Sequence, residues 1–415
     1  MSTVGPGQAA GDETYGGPPP TQPPAPGQWQ PAPWQPAPWQ PGPWQQAPWA
    51  AGAWPPPPAP WGPAPGGPQP WGPPPWAPVP PPYATRWVPP GTPPHDEPQP
   101  FLHVMRSRTW RAWRPVVGLL LFAVVYAVAA VLTLVIGVLA LITAAGAAAA
   151  ARGSGLTQLD LSELSAPGVL LVVNLVTAVA IPVVWLVWAA VHGMGIGWSS
   201  SVLGRLRWRL FPSFTLMALA TIGVSFCVSL AIAVAGGWDV TGPVASYGWL
   251  LAVVFLTTPL QSAAEEYIFR GYLSQAVAGW VRAPQTGAIV AALVSATLFS
   301  LAHGPGDVPT FLQRFAVGLA ASAVVWLTGG LEAAIALHAV NNVVIFVLAG
   351  ALGQDVATDA EAAGGIPWFD VLLTLVALVA FVALVARSRR RLRPETLTAA
   401  VDLRRPMPAV PTPAR

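Results

Sequence analysis

Lysine is absent from this chain, cysteine occurs once, and charged residues make up only 9% of its 415 positions. Each shortage excludes something. With a single thiol, Cys227, neither a disulfide framework nor a thiolate metal cluster can form. Soluble domains carry roughly 25% charged residues, so a chain this poor in charge cannot cover a water-facing surface in the ordinary way. The N-terminus also lacks the basic-then-apolar layout of a cleaved signal peptide, and the first apolar run is expected to act as its own insertion signal. Arginine is the sole basic residue, and its long stem suits anchoring at a membrane interface.

What the chain has instead is apolar length: 53% of its residues are hydrophobic. Runs lie near 116–148, 168–191, 211–235, 249–275, 285–303, 311–328, 331–350 and 368–386, and stretches near twenty apolar residues read as transmembrane helices. The expected fold is all-α, a polytopic bundle of about eight spans in the cell membrane, occupying residues 106–390. Arginine sets its orientation. Arg106, Arg108, Arg111 and Arg114 precede the first run, Arg205, Arg207 and Arg209 follow the second, and Arg387, Arg389, Arg390 and Arg391 follow the last. The connection at 351–367 is acidic, with Asp355, Asp359 and Glu361. An even span count and Arg-rich ends agree in placing both termini in the cytoplasm. These arginines are read as topology and lipid contacts; nucleic acid is not expected as a partner, because it would need a clustered basic face.

Residues 1–105 are rich in Pro, Gly, Ala, Gln and Trp. Trp29, Trp34, Trp39, Trp44, Trp49 and Trp54 recur every five residues. Proline this dense removes amide donors and locks φ. A disordered cytoplasmic tail of polyproline II character is expected, serving as a solvated tether or docking to a proline-recognising partner or the headgroup layer. Residues 391–415 are expected to form a second disordered tail, basic and Pro-rich.

The fourth run carries Glu265, Glu266 and Arg270. Carboxylates in an apolar helix are costly and are functional candidates by default, although a paired interfacial charge cluster is the plainer alternative. Glu266 and Arg270 are four apart and share a helical face, whereas Glu265 is rotated by about 100° from Glu266. The fifth run ends at His303, which taken alone reads as structural. In the seventh, His338 and Asn342 lie four apart, and alone they read as interhelical hydrogen-bonding glue. Together they supply a base, an imidazole, and an imidazole with a carboxamide. Amide hydrolysis needs a group that deprotonates water and donors that stabilise an oxyanion.

In their order, Glu265-Glu266-xxx-Arg270, Phe299-xxx-His303 and His338-xxx-Asn342 resemble the three motifs of the CAAX protease and bacteriocin-processing (CPBP) family, which includes eukaryotic prenyl-protein endopeptidases and many bacterial relatives. The resemblance covers about residues 200–350. It implies an Abi-type intramembrane endopeptidase acting on membrane-associated peptides or proteins. Glu265 would be the general base, orienting water with His303; His338 and Asn342 would bind the oxyanion; Glu266 and Arg270 would support them. Both metallopeptidase and metal-free glutamate chemistry are attributed to the family. Two His and one Glu form a zinc set, so Glu265, His303 and His338 are the ligands if zinc is the cofactor, while water activated by Glu and His is the favoured reading. The composition resembles that of a high-GC bacterium, where relatives are associated with peptide maturation or self-immunity.

Two rival classes fit the same residues: a non-catalytic scaffold presenting the Pro/Trp tail, and a transporter relaying protons through Glu265 and His303. Helix geometry adds a condition. If the fourth span ended near Glu265, His303 would lie roughly 27 Å away along the fifth. A shared site therefore requires a long fourth helix, kinked at Pro259 and continuing through Trp280.

Overall fold

The computed structural model describes residues 94–151, 166–237, 241–353 and 366–399. Among these, eight helical stretches are long and apolar enough to cross a membrane, and the described residues hold no strand beyond two isolated bridges. The first stretch is α1 (Arg114–Ala151). The second comprises α2 (Ala166–Ala178) and α3 (Ala180–Ala190). In the third, α4 (Phe211–Ala218) passes through a π turn at Leu219–Gly223 into α5 (Val224–Ala235). The fourth joins α6 (Tyr247–Ile268), a π turn at Phe269–Leu273 and α7 (Ser274–Trp280). Then come α8 (Pro284–Ala302), α9 (Val308–Thr328), α10 (Glu332–Ala351) and α11 (Trp368–Leu392). The bundle leaves large apolar side chains outward; Leu256, for example, is 78% exposed. Such a belt is unfavourable in water and suited to lipid. This is a multi-pass membrane protein.

Local chemistry sets the helix ends. Pro284 opens α8, where a missing N–H costs nothing and φ is already helical. Asp307 caps α9 by accepting from Thr310 N at 2.7 Å, and Gly329 ends the same helix at φ +71°, a conformation glycine adopts without penalty. Between helices, polar side chains serve as ties. Asn174 on α2 donates to Thr257 and Thr258 on α6, at 2.8 and 3.1 Å.

A buried ion pair fastens the end of the bundle where the two ends of the described chain meet. Arg207 Nε and Nη2 grip the Glu332 carboxylate at 2.9 and 2.6 Å, both side chains being almost wholly buried. Arg207 Nη1 also donates to Thr328 O and Glu395 O. Arg207, expected as a topology and lipid contact, is thus an internal clamp.

The expected tail boundaries also shift. Phe101, Leu102, Val104 and Met105 are buried in the main core, the turn Phe101–His103 packs on α7, α8 and α9, and His95 and His103 are buried with them. On the other side, residues up to Thr398 are held, through a bridge between Pro100 and Leu397 and the bond from Thr398 N to Gln99 O. Both segments are too short and aperiodic to register as structure in sequence; their partners are distant helices. Their contact puts the two ends of the described chain on one side, as an even span count requires. The Pro/Trp expectation for residues 1–93, the acidic connection and the final residues from 400 fall outside the described residues.

Candidate active site

The fourth stretch is one continuous helical path from Tyr247 to Trp280. Pro259 lies inside its α-helical part, and the departure from α geometry comes at the π turn Phe269–Leu273. At 1.5 Å per residue Glu265 stands about 27 Å from Tyr247 and about 22 Å from Trp280. After a short connection, α8 runs back for roughly 28 Å to His303. The length condition is therefore met: Glu265 is far from both ends, and His303 arrives beside it.

Three side chains converge there. His303 Nε2 and His338 Nε2 each lie 3.6 Å from Glu265 Oε2. The buried Oε2 makes no hydrogen bond within the protein. Each imidazole's other nitrogen is engaged: His303 Nδ1 with Phe299 O at 2.7 Å, His338 Nδ1 with Glu266 Oε1 at 2.9 Å. A carbonyl and a carboxylate can only accept, so in the neutral rings Nδ1 carries the proton and Nε2 presents a lone pair. Three acceptors therefore face one another where α6, α10 and the end of α8 meet. That arrangement is repulsive unless a donor sits among them.

Beneath this centre, Glu266 and Arg270 hold the frame. They pair at 2.8 Å with side chains 1% exposed, and Glu266 Oε1 takes both Arg270 Nη1 and His338 Nδ1. Arg270 Nη2 donates to Gly318 O on α9 at 2.9 Å. A Cβ at Gly318 would meet Ala296 at 2.8 Å, so glycine lets α9 approach α8 closely enough for that bond. Phe299 explains its own place in the second motif. Its ring packs on His303 (4.6 Å between centroids) and His338 (5.5 Å), with Arg270 over it at 5.1 Å.

Asn342 belongs to the same polar cluster. Its Nδ2 donates to Gln261 Oε1 at 3.2 Å, with Ser262 Oγ at 3.4 Å, and Gln261 Nε2 donates to Glu265 Oε1 at 2.5 Å. All six residues picked out by sequence thus meet in one network. Gln261 and Ser262 were missed. A signal for them exists: polar pairs recur every four residues at 257–258, 261–262 and 265–266, a stripe on one helix face. As arranged, no three His, Cys, Asp or Glu side chains among the described residues form a group that could hold a metal ion. The zinc set expected of Glu265, His303 and His338 supplies one carboxylate and two imidazole lone pairs, the donor types zinc takes, and its occupancy is a matter for metal analysis.

Comparison with known families now bears on the site. Residues 246–344 match the family model described as type II CAAX prenyl endopeptidase Rce1-like. This region is an Rce1-like domain. The match spans every residue of the network just described and agrees with the CPBP resemblance carried by the three motifs. It makes the domain one of the CAAX protease type, a peptidase class. No curated protein and no solved structure matches the chain.

Proposed function

We propose that this Rce1-like protein is an intramembrane endopeptidase in which Glu265 and His303 activate water, and His338 and Asn342 stabilise the oxyanion. The observation that carries this reading is the convergence of Glu265 Oε2, His303 Nε2 and His338 Nε2 within 3.6 Å of the shared oxygen. A water donating one O–H to Glu265 Oε2 and the other to His303 Nε2 would relieve two of these acceptors, a protonated His338 relieves the third, and Glu265 would take the water's proton as it attacks the peptide carbonyl. His338 Nδ1–H is committed to Glu266, so its Nε2–H for the oxyanion belongs to the imidazolium form, in which both nitrogens donate. Asn342 contributes the second N–H of its carboxamide. Breakdown of the tetrahedral intermediate returns the proton to the leaving amine.

The substrate class follows from the setting: a site on membrane helices serves peptides held in or delivered to the bilayer. The orientation proposed is the one with both termini cytoplasmic, from the arginine pattern.

The experiment is cleavage of a peptide library by purified protein in liposomes, read by mass spectrometry. Wild type is expected to produce discrete products. Glu265→Gln is expected to lower the rate by about 10²–10⁴-fold, the range of a general base, with unchanged thermal stability. Products that persist undiminished in Glu265→Gln would defeat the assignment.

A further inference from the structure

We infer that Gln261 is a positioning residue for the reaction: it fixes the carboxylate of Glu265 and the carboxamide of Asn342 in one hydrogen-bonded line. The inference rests on the peptidase reading above and adds a residue outside its three motifs. Gln261 lies one helical turn before Glu265 and is 9% exposed. Both ends of its amide are engaged, by Glu265 Oε1 at 2.5 Å and by Asn342 Nδ2 at 3.2 Å, with Ser262 Oγ donating to Gln261 Oε1 at 3.3 Å.

The direction of the line is determined chemically. Ionised Glu265 only accepts, so Gln261 must turn its NH₂ towards α6's own carboxylate and its Oε1 towards α10. Asn342 must then present its NH₂ to Gln261, which leaves its Oδ1 to accept from Asn341 Nδ2, found at 3.0 Å. Every amide in the series has one orientation, and all donate towards Glu265. Two consequences follow. Glu265 Oε1 is tied down by a charge-assisted bond, which leaves Oε2, the oxygen facing both imidazoles, as the base. Asn342 is held with one N–H on Gln261 Oε1, and the longer contact of the same NH₂ with Ser262 Oγ at 3.4 Å is the one a substrate carbonyl would replace. A glutamine inside an apolar helix is costly unless satisfied; here its two polar ends join the base to the oxyanion donor, which sit on different helices.

The test compares Gln261→Leu and Gln261→Met with wild type, Glu265→Gln and Asn342→Ala. Because the bond to Glu265 is charge-assisted, each Gln261 variant should lose about 10- to 100-fold in kcat with KM within about twofold. Gln261→Leu placed on Asn342→Ala should cost far less than on wild type, since the two act through one chain. Infrared difference spectra give a readout apart from activity. The carboxylate band that disappears in Glu265→Gln should shift in both Gln261 variants. If leucine lowers the thermal midpoint, the near-isosteric methionine decides. An unaltered kcat with an unshifted band in Gln261→Met, beside a Glu265-dependent wild type, sinks this inference alone. Cleavage that survives Glu265→Gln sinks the peptidase reading and this inference together.

Discussion

His338 and Glu266, 72 positions apart in sequence, meet at 2.9 Å between Nδ1 and Oε1, so the oxygen that pairs with Arg270 also orients the imidazole. Support and chemistry thereby share one atom. Removing the carboxylate leaves Arg270 buried with an uncompensated charge, which costs about 3–5 kcal/mol for a pair this enclosed. Glu266→Ala is expected to lower the thermal midpoint sharply in detergent and to abolish cleavage. Glu266→Ala with Arg270→Met removes both charges and should recover most of the midpoint while activity stays lost. A double variant as unstable as Glu266→Ala would show that the pair is not what Glu266 contributes.

The two histidines should separate under substitution. His303 keeps 32% of its side chain exposed and holds only a backbone carbonyl through Nδ1, whereas His338 is 4% exposed and belongs to the Glu266–Arg270 network. His303→Ala is expected to reduce cleavage by about 10²-fold or more while the midpoint stays close to wild type. His338→Ala should lose both activity and stability, because Glu266 forfeits a buried donor. Equal stability losses in the two variants would contradict this division.

Legibility in the sequence followed contrast with the surroundings. Glu265, Glu266, His303, His338 and Asn342 stood out because each is ionisable or amidic within an apolar run, where such residues are expensive. Gln261 did not, since a lone amide in a membrane helix reads as interhelical glue until its two partners are known. The Arg207–Glu332 clamp joins residues 125 apart, and nothing in the local pattern pairs them. Residues 94–105 read as tail from sequence because their proline content continues that of the preceding segment and a three-residue turn has no periodicity. The length of the fourth helix was legible only through the site. The charges that build the site interrupt the apolar run, but the requirement that Glu265 and His303 meet extends the helix through them to Trp280, where the structure ends it.

Metal dependence is tested directly. With water activated by Glu265 and His303, incubation with a strong chelator followed by its removal is expected to leave the cleavage rate within about twofold of the untreated enzyme, a change of less than about 0.5 kcal/mol in the barrier. Metal analysis of the purified protein should show no stoichiometric zinc. Inactivation that zinc alone reverses would transfer Glu265, His303 and His338 from proton chemistry to metal ligation.

Outside the spans, three buried histidines make stability depend on pH. His192 is driven down to about 4 by burial and then by Arg114, and its Nε2 lies 3.0 Å from Tyr272 Oη. His95 and His103 are lowered mainly by burial, with Arg108 and Arg106 adding to it. The sign follows from linkage. Each group binds its proton more weakly when folded than when unfolded, so acid favours the unfolded chain. The contribution is complete above about 6.5, the ordinary histidine value, and drains away as pH falls towards the folded values. The thermal midpoint is expected to hold between pH 8 and 7 and to drop steadily from about 6.5 towards 4.5. His192→Gln keeps a polar side chain near Tyr272 without a proton to gain, and its midpoint should fall less over the same range. A wild-type midpoint that rises on acidification would overturn the assignment, and a His192→Gln curve parallel to wild type would remove His192 from it.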